Sequence, residues 1–339
     1  MSMKIKVNLP YDIYTCLLSD MELFNFKKKD GSVNKNGFIN TLFKNYYIDF
    51  LNYEKILEKK INVFSLDKEN TYQIISLINE MNYDDNYYYD FDLQFILSKE
   101  NEFHFQIVEN HYLRNRTISK YFRDMFISYV SKSQFKREAI VFSDIVKTLK
   151  VAINGKKRIS LVDSHGKSHV IEPYELLTTK EELYNYLLGV EIYKDGRRSI
   201  NSIRLYKILD VLILEDDNTF TNGEKSLLEL THIHGAQFPM ESENNNIIVS
   251  LTKHGIKLFN QSYLNRPKPY KIVDDLYYFN CSYMQIEVYF FKFGCDAKII
   301  EPEFLANRFY YKYLKALKIY RNKSTVLTTN DKNDVKIHQ

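Results

Sequence analysis

The chain opens with a short alternating segment, KIKVNLP at residues 4–10, whose polar side chains could contact a negatively charged partner. A β-strand directs successive side chains to opposite faces. Three apolar side chains would therefore share one face, and the opposite face would carry Lys4, Lys6 and Asn8. Two ammonium groups and an amide suit phosphate oxygens or the edges of bases. The alternative is a solvated edge strand whose lysines discourage aggregation.

Composition limits the class of protein. The 339 residues predict two or three domains, and the net charge of +4 restricts any nucleic-acid surface to a local patch. The 28 Tyr and 23 Phe, with abundant Lys, Asn and Ile, also fit an A/T-rich genome, which is the alternative explanation of the basic, aromatic character. Three cysteines without a C-x-x-C pair indicate a reducing compartment, and no apolar run is long enough to span a bilayer. We expect a cytoplasmic protein without a membrane partner.

A pattern of strand, helix, loop and helix occurs twice. In residues 1–50, a helix follows the first strand, and a second helix begins near GFINTLFKNYY with Asn34 or Asn36 as its cap. In residues 90–135, the alternating segment DFDLQFIL is followed by one helix and then by another that begins at Thr117. The apolar positions of the two second helices superpose by a constant shift, which indicates a repeated unit. Residues 51–89 are expected to be a connecting helical segment.

This unit resembles the ribbon–helix–helix family of nucleic-acid-binding proteins. The resemblance implies an intrachain pseudo-dimer whose antiparallel ribbon enters the DNA major groove, while the second helices meet phosphate with their N-termini. A lone strand cannot satisfy its backbone edge, so pairing of the two strands is required. Asp92 and Ile96 depart from the pattern, because the first repels phosphate and the second contacts at most a thymine methyl group. The nucleic-acid-binding positions that the resemblance implies are Lys4, Lys6, Asn8, Asn34, Lys35 and Asn36 in the first copy, and Gln94, Arg116, Thr117 and Ser119 in the second.

From residue 138 to 216, short strands separated by polar turns predict a small antiparallel β-barrel. This segment resembles the WYL family of bacterial regulators. VIEPYEL at 170–176 and IRLYKI at 203–208 match family motifs, and Asn185-Tyr186-Leu187 stands at the name-giving tripeptide, with Asn185 in place of Trp. The resemblance implies an Sm-like or SH3-like barrel.

The same resemblance implies a pocket for a nucleic acid or an anionic, nucleotide-like effector, formed by His169, Tyr186, Arg204 and Lys207. Arg204 matches the family, and its planar fork suits phosphate or carboxylate. Lys207 replaces an arginine and loses bidentate geometry, and the charge of His169, which replaces another arginine, would depend on pH. The alternative is that Tyr186 belongs to the core and Arg204 to a surface ion pair.

Residues 286–320 resemble the C-terminal extension that follows many WYL domains. The segment alternates, breaks at Gly294, alternates again and becomes helical after Pro302. With NIIVSLTKHGIKLFNQ upstream, it predicts a ferredoxin-like α/β domain at 230–321, which the resemblance associates with homodimer formation. Residues 322–339 are expected to be a disordered tail.

No motif indicates catalysis. TNGEKS at 221–226 ends like a Walker A loop, but it lacks the first glycine and has Glu before Lys. His232 and His234 would share a strand face, yet no third metal ligand stands at a suitable spacing. We therefore expect no enzyme, no catalytic residue, no metal and no cofactor.

These patterns favour an α+β, multidomain transcriptional regulator that binds nucleic acid and responds to an effector. An alternative of another class is a CRISPR accessory protein. Proteins with a ribbon–helix–helix-like head and a WYL domain occur beside type VI-D RNA-guided RNA nucleases, bind single-stranded RNA and stimulate the nuclease. There Tyr186 would stack on bases while Arg204 and Lys207 hold phosphates. A third alternative, a purely structural interaction module, would require both basic faces to be solvent surface.

Overall fold

The computed structural model describes residues 3–80, 91–113, 116–179 and 183–324. Within these ranges the chain is a mixed α+β protein with eleven α-helices and three separate β-sheets. It divides into two compact units, Met1–Arg198 with Ile203–Thr219, and Ser199–Ser202 with Phe220–Gln339. Residues 81–89 of the predicted connecting segment and residues 325–339 of the predicted tail lie outside the described residues.

Within the described residues, the first part of the first unit contains five α-helices and two short strands. Its elements are β1 (Lys4–Leu9), α1 (Tyr11–Leu23), α2 (Lys35–Ile61), α3 (Lys68–Glu80), β2 (Phe91–Ile96), α4 (Lys99–His111) and α5 (Ile118–Val130). Helix α2 continues eleven residues beyond the expected boundary at residue 50, because Phe50, Leu51 and Ile61 extend its buried face. The connecting segment therefore starts inside a helix.

β1 and β2 form a two-stranded antiparallel sheet, with Lys4 opposite Ile96 and Leu9 opposite Phe91. The predicted pairing of the two strands within one chain is confirmed. Val7 and Leu93, which face inwards, are fully buried on an aromatic core supplied largely by α2 and α5. We call this sheet the ribbon; its polar face is its outer face.

The first unit continues with two helices and a five-stranded sheet. These elements are α6 (Gln134–Val141), α7 (Ser143–Asn154), β3 (Lys157–Asp163), β4 (Ser168–Thr178), β5 (Asn185–Ile192), β6 (Arg198–Arg204) and β7 (Ile208–Asp217), in the sheet order β6-β5-β4-β3-β7. Residues Ser199–Ser202 of β6 are grouped with the second unit. A 3-10 turn at Leu205–Lys207 interrupts the strand expected through IRLYKI, because Leu205 and Ile208 both enter the core. This turn positions the residues that follow Arg204.

The second unit is a four-stranded antiparallel sheet with flanking helices. It contains α8 (Asn222–His234), β8 (Ile247–Leu251), α9 (Lys253–Gln261), β9 (Pro269–Val273), β10 (Leu276–Phe279), α10 (Tyr283–Phe290), β11 (Ala297–Glu301) and α11 (Glu303–Ser324). The strands lie in the order β11-β8-β10-β9, and each neighbouring pair is antiparallel. From β8 to β11 the element order is β-α-β-β-α-β.

Two predictions for this unit are wrong in secondary structure. The alternating segment before Gly294 is the helix α10, since Ile286, Tyr289, Phe290 and Phe293 are buried at helical spacing. His232 and His234 lie on α8 and not on a strand, and residues two apart on a helix do not face each other.

The TNGEKS segment has a structural role at the start of α8. The Thr221 hydroxyl accepts a hydrogen bond from the Glu224 backbone N–H, and the Glu224 carboxylate accepts one from the Thr221 N–H. This capping box satisfies backbone donors of the first helical turn. Among the helices of the described residues, none has the length and apolar character needed to cross a membrane.

Candidate nucleic-acid interface

The outer face of the ribbon exposes Lys4, Lys6 and Gln94, and Asn8 is half-buried. Lys6 lies opposite Gln94 and reaches diagonally to Asp92, with 2.6 Å between its Nζ and the carboxylate Oδ2. Both side chains are about half exposed, so this ion pair contributes little to stability. It does, however, offset one of the two positive charges that were predicted to face a nucleic acid.

The start of α2 has mainly structural contacts. The Asn34 side chain caps the helix by accepting a hydrogen bond from Gly37 N–H at 2.9 Å, which decides between the two predicted caps. Asn36 Oδ1 accepts from the Ile96 N–H at 2.9 Å, so Asn36 holds the end of β2. Lys35 donates to the Tyr14 hydroxyl at 3.1 Å. Of these three predicted phosphate contacts, only Lys35 presents a cation.

The start of α5 differs from the prediction at Arg116. Thr117 is exposed and caps the helix, and Ser119 is half-buried. The Arg116 side chain is only 12% exposed, and its guanidinium donates to Glu54 at 2.7 and 3.1 Å and to Asp124 at 3.0 Å. Two nearly buried carboxylates therefore neutralise Arg116, and the predicted contact of this residue with phosphate is wrong.

The two carboxylates around Arg116 compete for one cation. Burial raises the pKa of Asp124 to about 6, Arg116 opposes that rise, and the neighbouring Glu54 adds to it. Asp124 Oδ1 has no hydrogen-bond partner among the described residues. This cluster is an internal ion network that joins α2 to α5.

A second candidate interface lies at one end of the five-stranded sheet, where Arg204 meets three tyrosines. The guanidinium carbon of Arg204 lies 3.1 Å from the ring centre of Tyr184 and 4.7 Å from that of Tyr206. Tyr186 is half-buried beside them; burial raises the pKa of its hydroxyl, and the charge of Arg204 partly opposes that rise. We call Tyr184, Tyr186, Arg204 and Tyr206 the Arg204 cluster.

Helix α6 holds the start of β5, the strand that carries Tyr186. Glu138 Oε2 accepts hydrogen bonds from the backbone N–H of Asn185 at 2.6 Å and from its side-chain amide at 2.9 Å. The same amide donates to the Phe135 carbonyl at 2.8 Å. Burial raises the pKa of Glu138, and the hydrogen bonds from Asn185 and the charge of Arg204 lower it. Asn185, which replaces the expected Trp, thus fixes the start of β5 on α6.

His169 does not join the Arg204 cluster, which corrects the predicted pocket. It lies beside Val170, which pairs with Ile192, whereas Tyr186 pairs with Leu177 at the other end of the β4–β5 ladder. The two ring nitrogens of His169 lie 2.7 Å from Glu191 and 3.2 Å from Asp163. Two carboxylates at these distances repel an anionic ligand. Lys207, in contrast, is exposed and follows Arg204 closely in the chain.

The sequence reasoning missed Tyr184, Tyr206 and Glu138. A signal for the two tyrosines was available, because each stands two residues from a predicted site residue and alternation places such pairs on one face. Glu138 had no comparable signal, since its contact with Asn185 joins residues far apart in the chain.

Comparisons with known proteins gave a fold relative. The chain matches no protein-family model, and a search of curated proteins gave no match. A crystal structure described as a CRISPR Cas-related protein aligns over 95% of this chain and 95% of that chain, with a TM-score of 0.70 and 17% identity. The two chains therefore share a fold. Proteasome accessory factor B/C of Arthrobacter aurescens aligns over 91% of this chain and 48% of that chain at 13% identity, with a TM-score of 0.25 that is too low to compare folds.

Proposed function

We propose that this chain is an accessory protein of a CRISPR RNA-guided RNA nuclease of type VI-D, and that it binds single-stranded RNA and stimulates the nuclease. The observation that carries the proposal is the fold shared with a CRISPR Cas-related protein along 95% of both chains. In this proposal the chain binds and regulates, and it catalyses no reaction itself.

The proposal includes the finer fold assignments. We interpret the ribbon with its helices as a duplicated ribbon–helix–helix head, the five-stranded sheet as an Sm-like WYL barrel, and the second unit as a ferredoxin-like domain. The antiparallel register of β1 with β2 supports the first assignment. The element order of the second unit supports the third. A homodimer formed by that unit and an anionic effector remain predictions.

The Arg204 cluster has the chemistry that single-stranded RNA requires. Unpaired bases stack on aromatic rings and on guanidinium planes, and a guanidinium also binds phosphate through its planar fork. The Arg204 guanidinium already lies over the rings of Tyr184 and Tyr206, and exposed Lys207 adds a nearby cation. Inside a duplex the faces of the bases are covered by neighbouring base pairs. The Arg204 cluster therefore favours single-stranded nucleic acid.

The outer face of the ribbon supports the same preference. Lys6 is paired with Asp92, and Ile96 occupies a position from which a side chain would read the major groove. Arg116 and Asn36, which were expected to meet phosphate, bind other parts of the chain. These contacts leave fewer groups for duplex DNA than the ribbon–helix–helix resemblance implied.

The first test is equilibrium binding by fluorescence anisotropy. The full chain is titrated into labelled single-stranded RNA and, separately, into duplex DNA of the same sequence, from about 50 to 200 mM salt. We expect tighter binding to the RNA at every salt concentration. Tighter binding to duplex DNA, or no binding to RNA, would contradict the proposal.

Stimulation of the nuclease needs a separate assay. A type VI-D nuclease with its guide is mixed with target RNA, and the cleavage rate is measured with and without the chain. We expect a higher rate with the chain, and a smaller increase with an Arg204→Ala variant. An unchanged rate would reject the accessory role even if RNA binding were found.

A second candidate is the effector-responsive transcriptional regulator, which the antiparallel ribbon with outward Lys4 and Lys6 favours. In that case the double substitution Lys4→Ala and Lys6→Ala should weaken duplex binding by about 1–3 kcal/mol for each lost base contact. The unmodified protein should then bind single-stranded RNA more weakly than duplex DNA. The same anisotropy series therefore separates the two candidates.

A further inference from the structure

Three aromatic rings meet at the end of the ribbon where β1 ends and β2 begins. The ring centre of Phe91 lies 5.3 Å from that of Tyr11 and 5.4 Å from that of Tyr14. The planes of Phe91 and Tyr14 are 25° apart, so these two rings are stacked. Tyr11 is the outermost ring and is 57% exposed.

A cation, Lys35, lies against these rings. The Nζ of Lys35 lies 5.3 Å from the ring centre of Tyr14, and its bond to the Tyr14 hydroxyl uses one of three ammonium donors. Lys27, Lys28 and Lys29 are exposed in the turn that leads into α2, and this turn is tied to the helix start because Asn34 N–H donates to the Phe26 carbonyl. The acidic side chain of the turn, Asp30, accepts hydrogen bonds from Ser32.

We propose that Tyr11, backed by Phe91 and Tyr14, is a stacking platform for an unpaired base of single-stranded RNA, with the adjacent phosphate at Lys35. The inference rests on the proposed function, and it adds a second contact that is distinct from the Arg204 cluster. An exposed ring close to a cation is an arrangement that single-strand binding uses, because stacking holds the base while the cation holds the backbone. A base pair cannot use this platform without opening.

The test compares the unmodified full chain with Tyr11→Leu and Tyr11→Phe. Leucine keeps an apolar side chain but removes the ring, and phenylalanine keeps the ring. Because stacking is worth about 1–3 kcal/mol for each base, Tyr11→Leu should weaken RNA binding about 5-fold to 150-fold. The affinity of Tyr11→Phe for the RNA should stay within about two-fold of that of the original chain, since the ring face is retained. The slope of affinity against salt should not change, because no charge is removed.

A second readout reports stacking directly. RNA that carries 2-aminopurine changes its fluorescence when the base stacks, so the signal on binding should be smaller with Tyr11→Leu at saturating protein. Circular dichroism melting checks that the exposed substitution leaves the fold intact.

The failures of the two proposals are distinguishable. If the unmodified chain binds RNA and Tyr11→Leu binds it equally well, the platform is wrong and the proposed function stands. If Tyr11→Leu loses duplex DNA binding as much as RNA binding, Tyr11 contacts something other than an unpaired base, and the platform is again wrong. A chain that binds no RNA overturns both.

Discussion

The guanidinium of Arg204 lies over the ring of Tyr184, with 3.1 Å between the guanidinium carbon and the ring centre. Tyr206 is a second ring neighbour at 4.7 Å. Arg204 Nε is buried and has no hydrogen-bond partner in the described part of the chain, and the two rings pack against the guanidinium. The planar cation is therefore positioned before any ligand arrives, which lowers the entropy cost of binding.

Replacement of Arg204 by Ala should weaken binding of single-stranded RNA about 10-fold or more, because the site loses a stacking plane and a phosphate ligand together. Arg204→Lys should recover only part of the affinity, since an ammonium keeps the charge but not the plane. Anisotropy with labelled RNA measures both.

Arg197 provides a matched control for Arg204. It also contacts a tyrosine, with 5.3 Å between its guanidinium carbon and the Tyr193 ring centre, but its side chain is 76% exposed and paired with Asp195. Arg197→Ala should change RNA affinity much less than Arg204→Ala. Equal losses would indicate a general effect of charge and would remove the special role of the Arg204 cluster.

Asn40→Ala should destabilise the ribbon. The Asn40 amide donates to the Ile96 carbonyl at 2.9 Å, and its oxygen accepts from Ser98 N–H at 2.7 Å. The Asn40 amide also donates to the Asn36 carbonyl at 2.9 Å, and its oxygen accepts from the Asn101 amide at 2.8 Å. Loss of these four bonds should lower the free energy of unfolding by about 1–3 kcal/mol. Urea denaturation measures the change. The control is Asn52→Ala, at an exposed position of the same helix, which should stay within about 0.5 kcal/mol of the original chain.

Asp124→Asn should change how the stability of the first unit depends on pH. Burial raises the pKa of Asp124 from 3.8 to about 6, so between these values the folded state binds more protons than the unfolded state. This carboxyl therefore makes the free energy of unfolding fall as pH rises through that window. Asparagine does not titrate, so the variant should lose this component. Denaturation at several pH values tests it, and an unchanged pH profile would contradict the raised pKa.

Two glycines should respond to alanine in opposite directions. A Cβ at Gly189 would lie 2.4 Å from the Glu172 carbonyl oxygen, a contact that the paired strands β4 and β5 cannot relieve cheaply. Gly189→Ala should therefore lower the free energy of unfolding by about 1–3 kcal/mol or more. Gly223, on α8, has open space around its Cβ position, and Gly223→Ala should stabilise by about 0.4–1 kcal/mol. Scanning calorimetry follows the transition of each unit.

Local patterns predicted much of the secondary structure. Alternation in KIKVNLP and DFDLQFIL gave both strands of the ribbon, and the requirement that a lone strand find a partner gave their pairing. Thr117 was correctly expected to begin a helix, because a hydroxyl before an apolar stripe is a local cap signal. The alternation before Gly294 predicted a strand, but this segment is the helix α10. Short apolar runs fit a helix and a strand almost equally well.

The candidate site was less accessible to sequence reasoning. Arg204 and Tyr186 were identified and do lie near each other, but His169 was grouped with them although it lies at the far end of a long ladder. Arg116 was read as a phosphate ligand from its place before a helix. Its partners Glu54 and Asp124 are brought to it by packing of α2 against α5, which no local pattern encodes.

The sequence by itself determined the two strands of the ribbon, their pairing and the start of α5, because periodicity, caps and unpaired edges are properties of short segments. The tertiary structure decided which charges remain available to a partner. Lys6 is offset by Asp92, Arg116 is neutralised inside, and Arg204 is held on Tyr184. The reason is physical: the electrostatic role of a side chain depends on neighbours within a few ångströms, and folding brings those neighbours from distant parts of the chain.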